Sequence, residues 1–313
     1  MRAEARGGRH TPPPSHSRPE SATPSAGSAR RDEVLARLDE GIAGLTESSR
    51  WSEWLRVQAR FHRYSFSNTL LIQLQRPGST RVAGYRTWQK LGRQVMRGEP
   101  GIAILAPVVR RVRAKSGADL GDDGDQVPAA IRRVATFVVA WVWDVSQTQG
   151  DAPLPEVCSR LTGEDTTGAY ERLLGVAAGL GYAVAEADLP GETNGECSPA
   201  ERRIRVRRGL AARHRVKVLA HELGHALLHE EGYAGTPRPL AELEAESVAF
   251  IVCDSMRVDS GDYSFAYVAT WAGGGDEARA ALRASAQRIQ RAAAQIIDAA
   301  GVAEEVAVTE SAA

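Results

Sequence analysis

The run VLAHELGHALLH at residues 218–229 constrains this chain more than any other stretch. On a helix, His221 and His225 stand one turn apart on one face, where both imidazoles can reach a single metal ion. Glu222 lies beside them, placed to polarise a water there. Val216, Leu219, Ala220, Leu223, Ala226 and Leu227 recur at helical spacing through the motif, so the histidines are expected on a largely buried helix. Two histidines and a glutamate at this spacing arise by accident in roughly one chain in a hundred of this length, before an apolar helix around them is required. The pattern predicts the active-site helix of a zinc hydrolase, with zinc as the cofactor.

Such a site needs a third protein ligand and one open coordination position. Residues 239–253, PLAELEAESVAFIVC, form a second helical pattern in which Glu242 and Glu246 share a face while Glu244 points elsewhere. Families that follow an HExxH helix with a Glu-bearing helix commonly carry E-x-x-A-(D/N/E), and Glu242, Ala245 and Glu246 fit that spacing. Glu242 is therefore expected on the metal and Glu246 as acceptor for a histidine N–H, with the reverse assignment left open. His229 continues the four-residue series where the chain is still helical, and is read as a polar cap near the helix end. Gly224 costs about 1 kcal/mol against alanine inside a helix, which predicts close packing by another element. Upstream, RRIRVRR at 202–208 alternates with period two, and a strand there would line the cleft and hold an extended substrate by main-chain pairing. An edge strand guarded by arginines gives the same pattern.

The formal net charge of zero hides a segregation along the chain. Residues 50–115 hold fourteen Arg or Lys against Glu53 and Glu99, a net of +12, whereas residues 151–313 carry −9. A basic block joined to an acidic one predicts a polyanion-binding module beside a module with another task. The basic block also carries aromatic residues among its arginines, the combination that tracks phosphates and stacks on unpaired bases. Arg60, Arg63, Tyr64, Asn68, Arg76, Arg81, Tyr85, Arg86, Trp88, Lys90 and Arg93 are the candidate DNA contacts. Of its seven rings, at most two are expected to face a nucleic acid, since an aromatic residue in a small domain is more often core.

Residues 51–107 resemble the N-terminal domain of the ArdC antirestriction family, through SFSNTLLIQLQRP, VAGYRTW, LGRQV and GIAILAP, and WDVSQT at 143–148 is similar to the strand that closes that domain. Ser67 stands where the family commonly has asparagine. The resemblance implies binding of single-stranded DNA without marked sequence preference, ahead of a zinc metallopeptidase-like half. That second half, through LAHELGHALLH and ELEAESVAF, is similar to HExxH peptidases of the ImmA/IrrE type.

The fold class expected is α+β in two domains: a basic α+β nucleic-acid-binding domain, then a mainly helical zincin-like metallopeptidase domain. The boundaries are a disordered tail at 1–30, the ArdC-like domain at 31–150, the metallopeptidase domain at 151–300 and a second disordered tail at 301–313. Helices are predicted at 32–45, 51–62, 68–75, 170–180 and 277–299, and strands at 101–107 and 134–145, the latter separated by a polar loop at 115–128. DAPLP at 151–155 is the expected linker. Leu282, Ile289 and Ile296, one heptad apart, are expected to pack on the domain. Cys158, Cys197 and Cys253 are too scattered for a disulfide framework or a cysteine metal site and are read as ordinary thiols. No stretch suits a secretory signal or a membrane span, so a cytoplasmic protein is expected. In the leading reading Glu222 is the general base of a peptidase acting on a protein or peptide that the sequence does not identify, with Tyr263 and Tyr267 as candidate oxyanion donors. The alternative is a catalytically silent DNA-coating or antirestriction protein with a structural zinc.

Overall fold

The structure is a computed structural model that describes residues 26–112, 131–150, 167–230, 236–259, 263, 265–271 and 275–302. Most of the two expected tails, the polar loop at 115–128, the linker at 151–155 and Cys158 lie outside the described residues. Among those described, no helix is long and apolar enough to cross a membrane.

Three helices open the N-terminal half: α1 (Ala26–Gly44), α2 (Ser48–Arg60) and α3 (Phe66–Gln75). In α2, Trp51, Trp54, Leu55 and Gln58 fall at i, i+3, i+4 and i+7 and are all buried, which fixes its inward face. Ser65 caps α3 by accepting from the Asn68 backbone N–H. After β1 (Val82–Ala83), α4 (Tyr85–Lys90) and β2 (Gln94–Val95) comes a long antiparallel ribbon of β3 (Ile102–Val112) and β4 (Ile131–Asp144), rich in β-branched and aromatic residues. The strand order is β1-β4-β3, while β2 pairs separately with β5 (Thr148–Gln149).

The outer edge of β3 is covered by side chains. Asn68 exchanges hydrogen bonds of 2.9 and 3.0 Å with the backbone of Leu105, and Gln75, two turns further along α3, makes a 2.9 Å pair with Ala103. Two amides, each with a donor and an acceptor in fixed relation, do the work of a neighbouring strand and close part of an edge that would otherwise invite pairing.

The C-terminal half runs α5 (Thr167–Gly179), β6 (Ala183–Ala187), β7 (Gly195–Ser198), β8 (Arg203–Arg207), α6 (Ala212–Leu228), α7 (Arg238–Ser255) and α8 (Gly275–Ala299). Its sheet has the order β6-β8-β7, with β8 parallel to β6 and antiparallel to β7. This corrects the role expected for RRIRVRR. Ile204 and Val206 are buried as the alternation requires, but β8 is the central strand, and its backbone is engaged on both sides. The strand with an outer edge toward the cleft is β7.

The two halves share one core. Val34, Leu38, Trp51, Trp54, Phe66 and Leu70 of α1 to α3 belong to the same buried cluster as Leu219, Val248, Ile289 and Ile296 of α6 to α8. Trp51 Nε1 donates to Ser247 Oγ across it at 3.1 Å. Helix α8 buries Leu282, Ile289 and Ile296 in that core, and Gln290 on the same helix donates to the His62 carbonyl at 3.0 Å.

Candidate metal centre and nucleic-acid interface

Gly224 lets α6 and α7 approach. A Cβ at this position would lie 3.1 Å from Ala245 Cα, tighter than nine in ten real Cβ contacts, so a larger residue would have to move the α7 backbone away by a few tenths of an ångström. The approach brings Glu242 of α7 against the histidines of α6. Its Oε2 is 3.4 Å from His221 Nε2 and 3.6 Å from His225 Nε2, and the two Nε2 atoms are 3.0 Å apart. All three side chains thus offer a ligand atom within 4.8 Å of one another.

Each imidazole is held from behind. His221 Nδ1 lies 3.2 Å from Glu246 Oε2, and the Glu246 carboxylate also takes Lys217 Nζ at 2.9 Å. His225 Nδ1 lies 3.1 Å from His229 Nδ1, whose Nε2 is 3.2 Å from Glu244 Oε2. Where the Nδ1 atoms carry the protons, both Nε2 lone pairs and the Glu242 carboxylate point at one volume with no hydrogen among them. Three converging electron-pair donors repel unless a cation sits between them, and two imidazoles with one carboxylate suit zinc in kind and number.

The charges of the metal-free site follow from this crowding. Burial alone lowers the His221 pKa, but hydrogen bonds to Glu242 and Glu246 and the field of Glu222 overcome it and push it up to about 9. Hydrogen bonds from His221 and then His225 hold Glu242 far below the usual carboxylate range. Burial keeps His225 below its ordinary value. Burial also pushes Glu222 up to about 7, with the nearby His221 opposing the shift. A carboxyl poised near neutrality is matched to accepting a proton from water and returning it.

Strand β7 forms the facing wall of a cleft of about 630 Å³ lined by Asn194, Gly195, Glu196, His214, Lys217 and Arg238 as well as the motif residues. A side chain at Gly195 would overlap the Glu222 carboxylate, so this glycine is what lets the strand pass over the acid. Cys197 also borders the cleft, but burial and then the Glu222 charge push its thiol up to about 12, and Cys253 is buried. Cys197 is therefore a thiol, not a thiolate, at neutral pH. Tyr263 packs between Phe250 and Phe265 beneath Lys217, set behind the residues that line the cleft. The side chain of Tyr267 lies outside the described residues.

Sequence reasoning missed Glu244 and His229. Glu244 is 1% exposed and does not point to solvent, and His229 is the C-cap residue of α6 by position but has a buried ring bonded on both sides. The available signal was two further acid and base residues on the motif helices, at spacings that a single metal did not use.

The candidate DNA contacts divide. Trp88 is 0% exposed and donates Nε1 to the Trp143 carbonyl, and Tyr64 is buried against Phe61, so neither ring can meet a base. Asn68 is spent on the edge of β3. Arg93 staples the β2–β5 pair through Thr148 and Gly150, Arg76 reaches Ser146 and Glu99, Arg60 reaches the Ser79 carbonyl, and Arg63 pairs with Asp298 of α8. Tyr85, Arg86 and Lys90 remain exposed and Arg81 half-buried; the backbone N–H of Arg81 donates to Asp144, but the side chains of Arg81 and Arg86 form no ion pair among the described residues. Two further exposed rings, Phe137 and Trp141, lie in β4 outside the segment singled out by charge. Four residues apart, they share a face of the strand with Trp143, which meets Tyr85 edge-on at 6.0 Å.

An HExxH helix crossed by a Glu-bearing helix and faced by an antiparallel strand defines a metallopeptidase-type domain, joined here to a basic α+β domain. Comparison with known proteins gives both a family: residues 28–139 match the N-terminal domain of anti-restriction factor ArdC, and residues 177–255 match the IrrE N-terminal-like domain of the M78 peptidase type. The chain therefore joins an ArdC-type domain to an IrrE-like one. The crystal structure of antirestriction ArdC protein from the R388 plasmid in its Mn(II)-bound form is similar over 86% of this chain and 97% of that one, with a TM-score of 0.52 and 18% identity. The metal-free form of that protein gives a TM-score of 0.47 at 17% identity over 76% of this chain and 84% of that one. An uncharacterized protein of Bacillus anthracis is 24% identical over 289 residues, or 82% of this chain, which spans about half the length of that relative (49%).

Proposed function

We propose that this chain is a zinc-dependent peptidase whose N-terminal domain binds single-stranded DNA. The observation that carries the first half is the convergence of His221, His225 and Glu242 beside a carboxyl, Glu222, held near neutrality. A bound zinc supplies Lewis acidity toward a carbonyl and toward water. The chain's own residues do the rest. His221, His225 and Glu242 hold the ion, Glu246 fixes the ring of His221, and Glu222 takes a proton from the attacking water onto a carboxylate oxygen and returns it to the leaving amine. The outer edge of β7 is available to pair with an extended peptide, which places a main-chain carbonyl over the motif helix. The Mn(II)-bound relative supports a metal in this fold.

The second half rests on Tyr85, Phe137 and Trp141 left exposed around the β4 surface, with Arg81, Arg86 and Lys90 in the adjoining segment. Rings that stack without reading base identity and cations that follow phosphates make a platform for unpaired strands. The IrrE-like and ArdC-type matches support peptidase and antirestriction roles respectively. We place the domain boundaries near 31–150 and 151–300, and the protein in the cytoplasm.

The test uses the full chain, because the two halves share a core. Zinc content and cleavage of an unfolded protein are measured for the wild type and for Glu222→Gln. Retained zinc with cleavage reduced by about 10²–10⁴-fold is the expected result. Zinc with no cleavage in either protein would instead favour the DNA-coating alternative with a structural metal.

A further inference from the structure

We propose that His229, Glu244 and Arg288 form a buried relay that fixes His225 in the tautomer presenting its Nε2 lone pair to the metal. The inference rests on the metal-site reading above and names residues on which that reading does not depend. The relay leaves the motif helix at His225 Nδ1, 3.1 Å from His229 Nδ1, continues from His229 Nε2 to Glu244 Oε2 at 3.2 Å, and ends where the Arg288 guanidinium of α8 closes on the Glu244 carboxylate. His229 and Glu244 are 5% and 1% exposed, so water does not compete for these bonds.

Hydrogen-bond accounting sets the direction. An ionised carboxylate only accepts, so the bond to Glu244 must be donated by His229 Nε2–H. A neutral imidazole with its proton on Nε2 has a lone pair on Nδ1. The bond between the two Nδ1 atoms must then be donated by His225, which leaves His225 Nε2 without a proton, facing His221 Nε2 at 3.0 Å and Glu242 Oε2 at 3.6 Å. Every atom in the chain is satisfied one way round, and that way is the one a metal requires. Arg288 makes the direction robust, because it holds Glu244 as an acceptor from an element outside the two motif helices. These three are positioning residues. They act through His225 and are not among the three side chains that converge on the metal position.

The discriminating substitution is Glu244→Gln. Its amide can donate to His229 Nε2, which permits the relay to reverse and puts the proton on His225 Nε2, with almost no change in shape. In full-length metal-free protein at about pH 8, imidazole nitrogen NMR should find His225 protonated at Nδ1 and His229 at Nε2 in the wild type, with the two assignments exchanged in Glu244→Gln. Zinc affinity, read by competition with a chromophoric chelator, should fall by about 10–100-fold in Glu244→Gln and His229→Leu. His229→Gln, whose amide can accept from His225 and donate to Glu244, should restore most of it. Wild-type His225 protonated at Nε2, or unchanged zinc affinity in a folded Glu244→Gln, would overturn the proposal. If Glu244→Gln does not fold, Arg288→Gln leaves the carboxylate in place without its clamp, and the same two readouts decide. A wild type that binds no zinc would sink the peptidase reading, while the NMR assignment would still decide the relay.

Discussion

The cleft between α6, α7 and β7 and the outer surface of β4 arrange their functional groups by opposite means. In the cleft the two motif histidines are turned inward and each is held by a second polar group, His221 by Glu246 and His225 by His229. On β4, Phe137 and Trp141 are left half exposed, Trp141 with the Arg30 guanidinium 5.8 Å over its ring. A buried polar site has to be built from partners that satisfy one another, because each unpaired group costs a desolvation penalty. A stacking surface needs only rings that the fold does not cover. Damage to the two regions should therefore be readable on different instruments, stability and metal for one, ligand binding for the other.

The sharpest test of that separation compares two tryptophans. Trp54 is buried between Trp51 and Phe66, with Nε1 on Thr69 Oγ1 at 3.1 Å, whereas Trp141 is 41% exposed. Trp54→Ala should cost about 3–5 kcal/mol in denaturant unfolding, and Trp141→Ala less than about 1 kcal/mol. Equal costs would mean that the ribbon ring is core after all, and the contrast would collapse.

Within the cleft, the carboxyl that suits catalysis is a burden on the metal-free fold. The Glu222 pKa is raised from 4.5 to about 7. The folded state therefore binds its proton more tightly than the unfolded state does, and the associated stability is complete below pH 4.5 and is lost as the pH rises through about 7. At about pH 8 the burden approaches 3 kcal/mol by the usual conversion of a pKa shift, reduced by the opposing charge of His221. Glu222→Gln should accordingly stabilise metal-free protein by up to about 3 kcal/mol at pH 8, with the gain fading toward pH 4.5. Thermal or urea unfolding across that range measures it, and a gain independent of pH would show that packing rather than charge is responsible.

On the ribbon, Tyr85→Ala, Phe137→Ala and Trp141→Ala should each weaken binding of a labelled single-stranded oligonucleotide by about 1–3 kcal/mol in fluorescence anisotropy. Trp88→Ala should act through stability instead, since its ring is in the core beneath α4. If the three exposed rings are replaced without effect while a folded Trp88 variant loses binding, the platform lies elsewhere.

How much of this was legible in the sequence differs between the two regions for a physical reason. The metal motif is local: His221, Glu222 and His225 are set by helical spacing, and Glu242 needs only one helix crossing, which Gly224 announced. The β8 strand was legible as a strand but not as a central one, because alternation reports which face is buried and says nothing of what lies at either edge. In the basic segment, composition counted the rings and charges correctly yet could not say which way they turn. Trp88 and Tyr64 went to the core, and Asn68 went to a strand edge 37 residues away in sequence. Phe137 and Trp141 were overlooked because net charge, the quantity used to find the region, is carried by other residues. His229 and Glu244 were missed because a buried pair between helices looks, in one dimension, like a cap and a solvated acid.

The smallest expected effect is also the one that separates the arginines. Arg63 pairs with Asp298 of α8, both about half exposed, and such a pair is worth about 0–1 kcal/mol. Arg86 is exposed with no acidic partner among the described residues. If Arg86 contacts one phosphate, Arg86→Ala should lower the slope of log binding constant against log salt by about 0.7, the value for one ion released from a single strand. Arg63→Ala should leave that slope unchanged and alter stability by less than about 1 kcal/mol. The opposite pattern, a slope that falls with Arg63 and not with Arg86, would mean that a bound strand displaces Asp298 from Arg63. The surface used by DNA would then reach α8, the helix that supplies Arg288, and the two regions would no longer be independent.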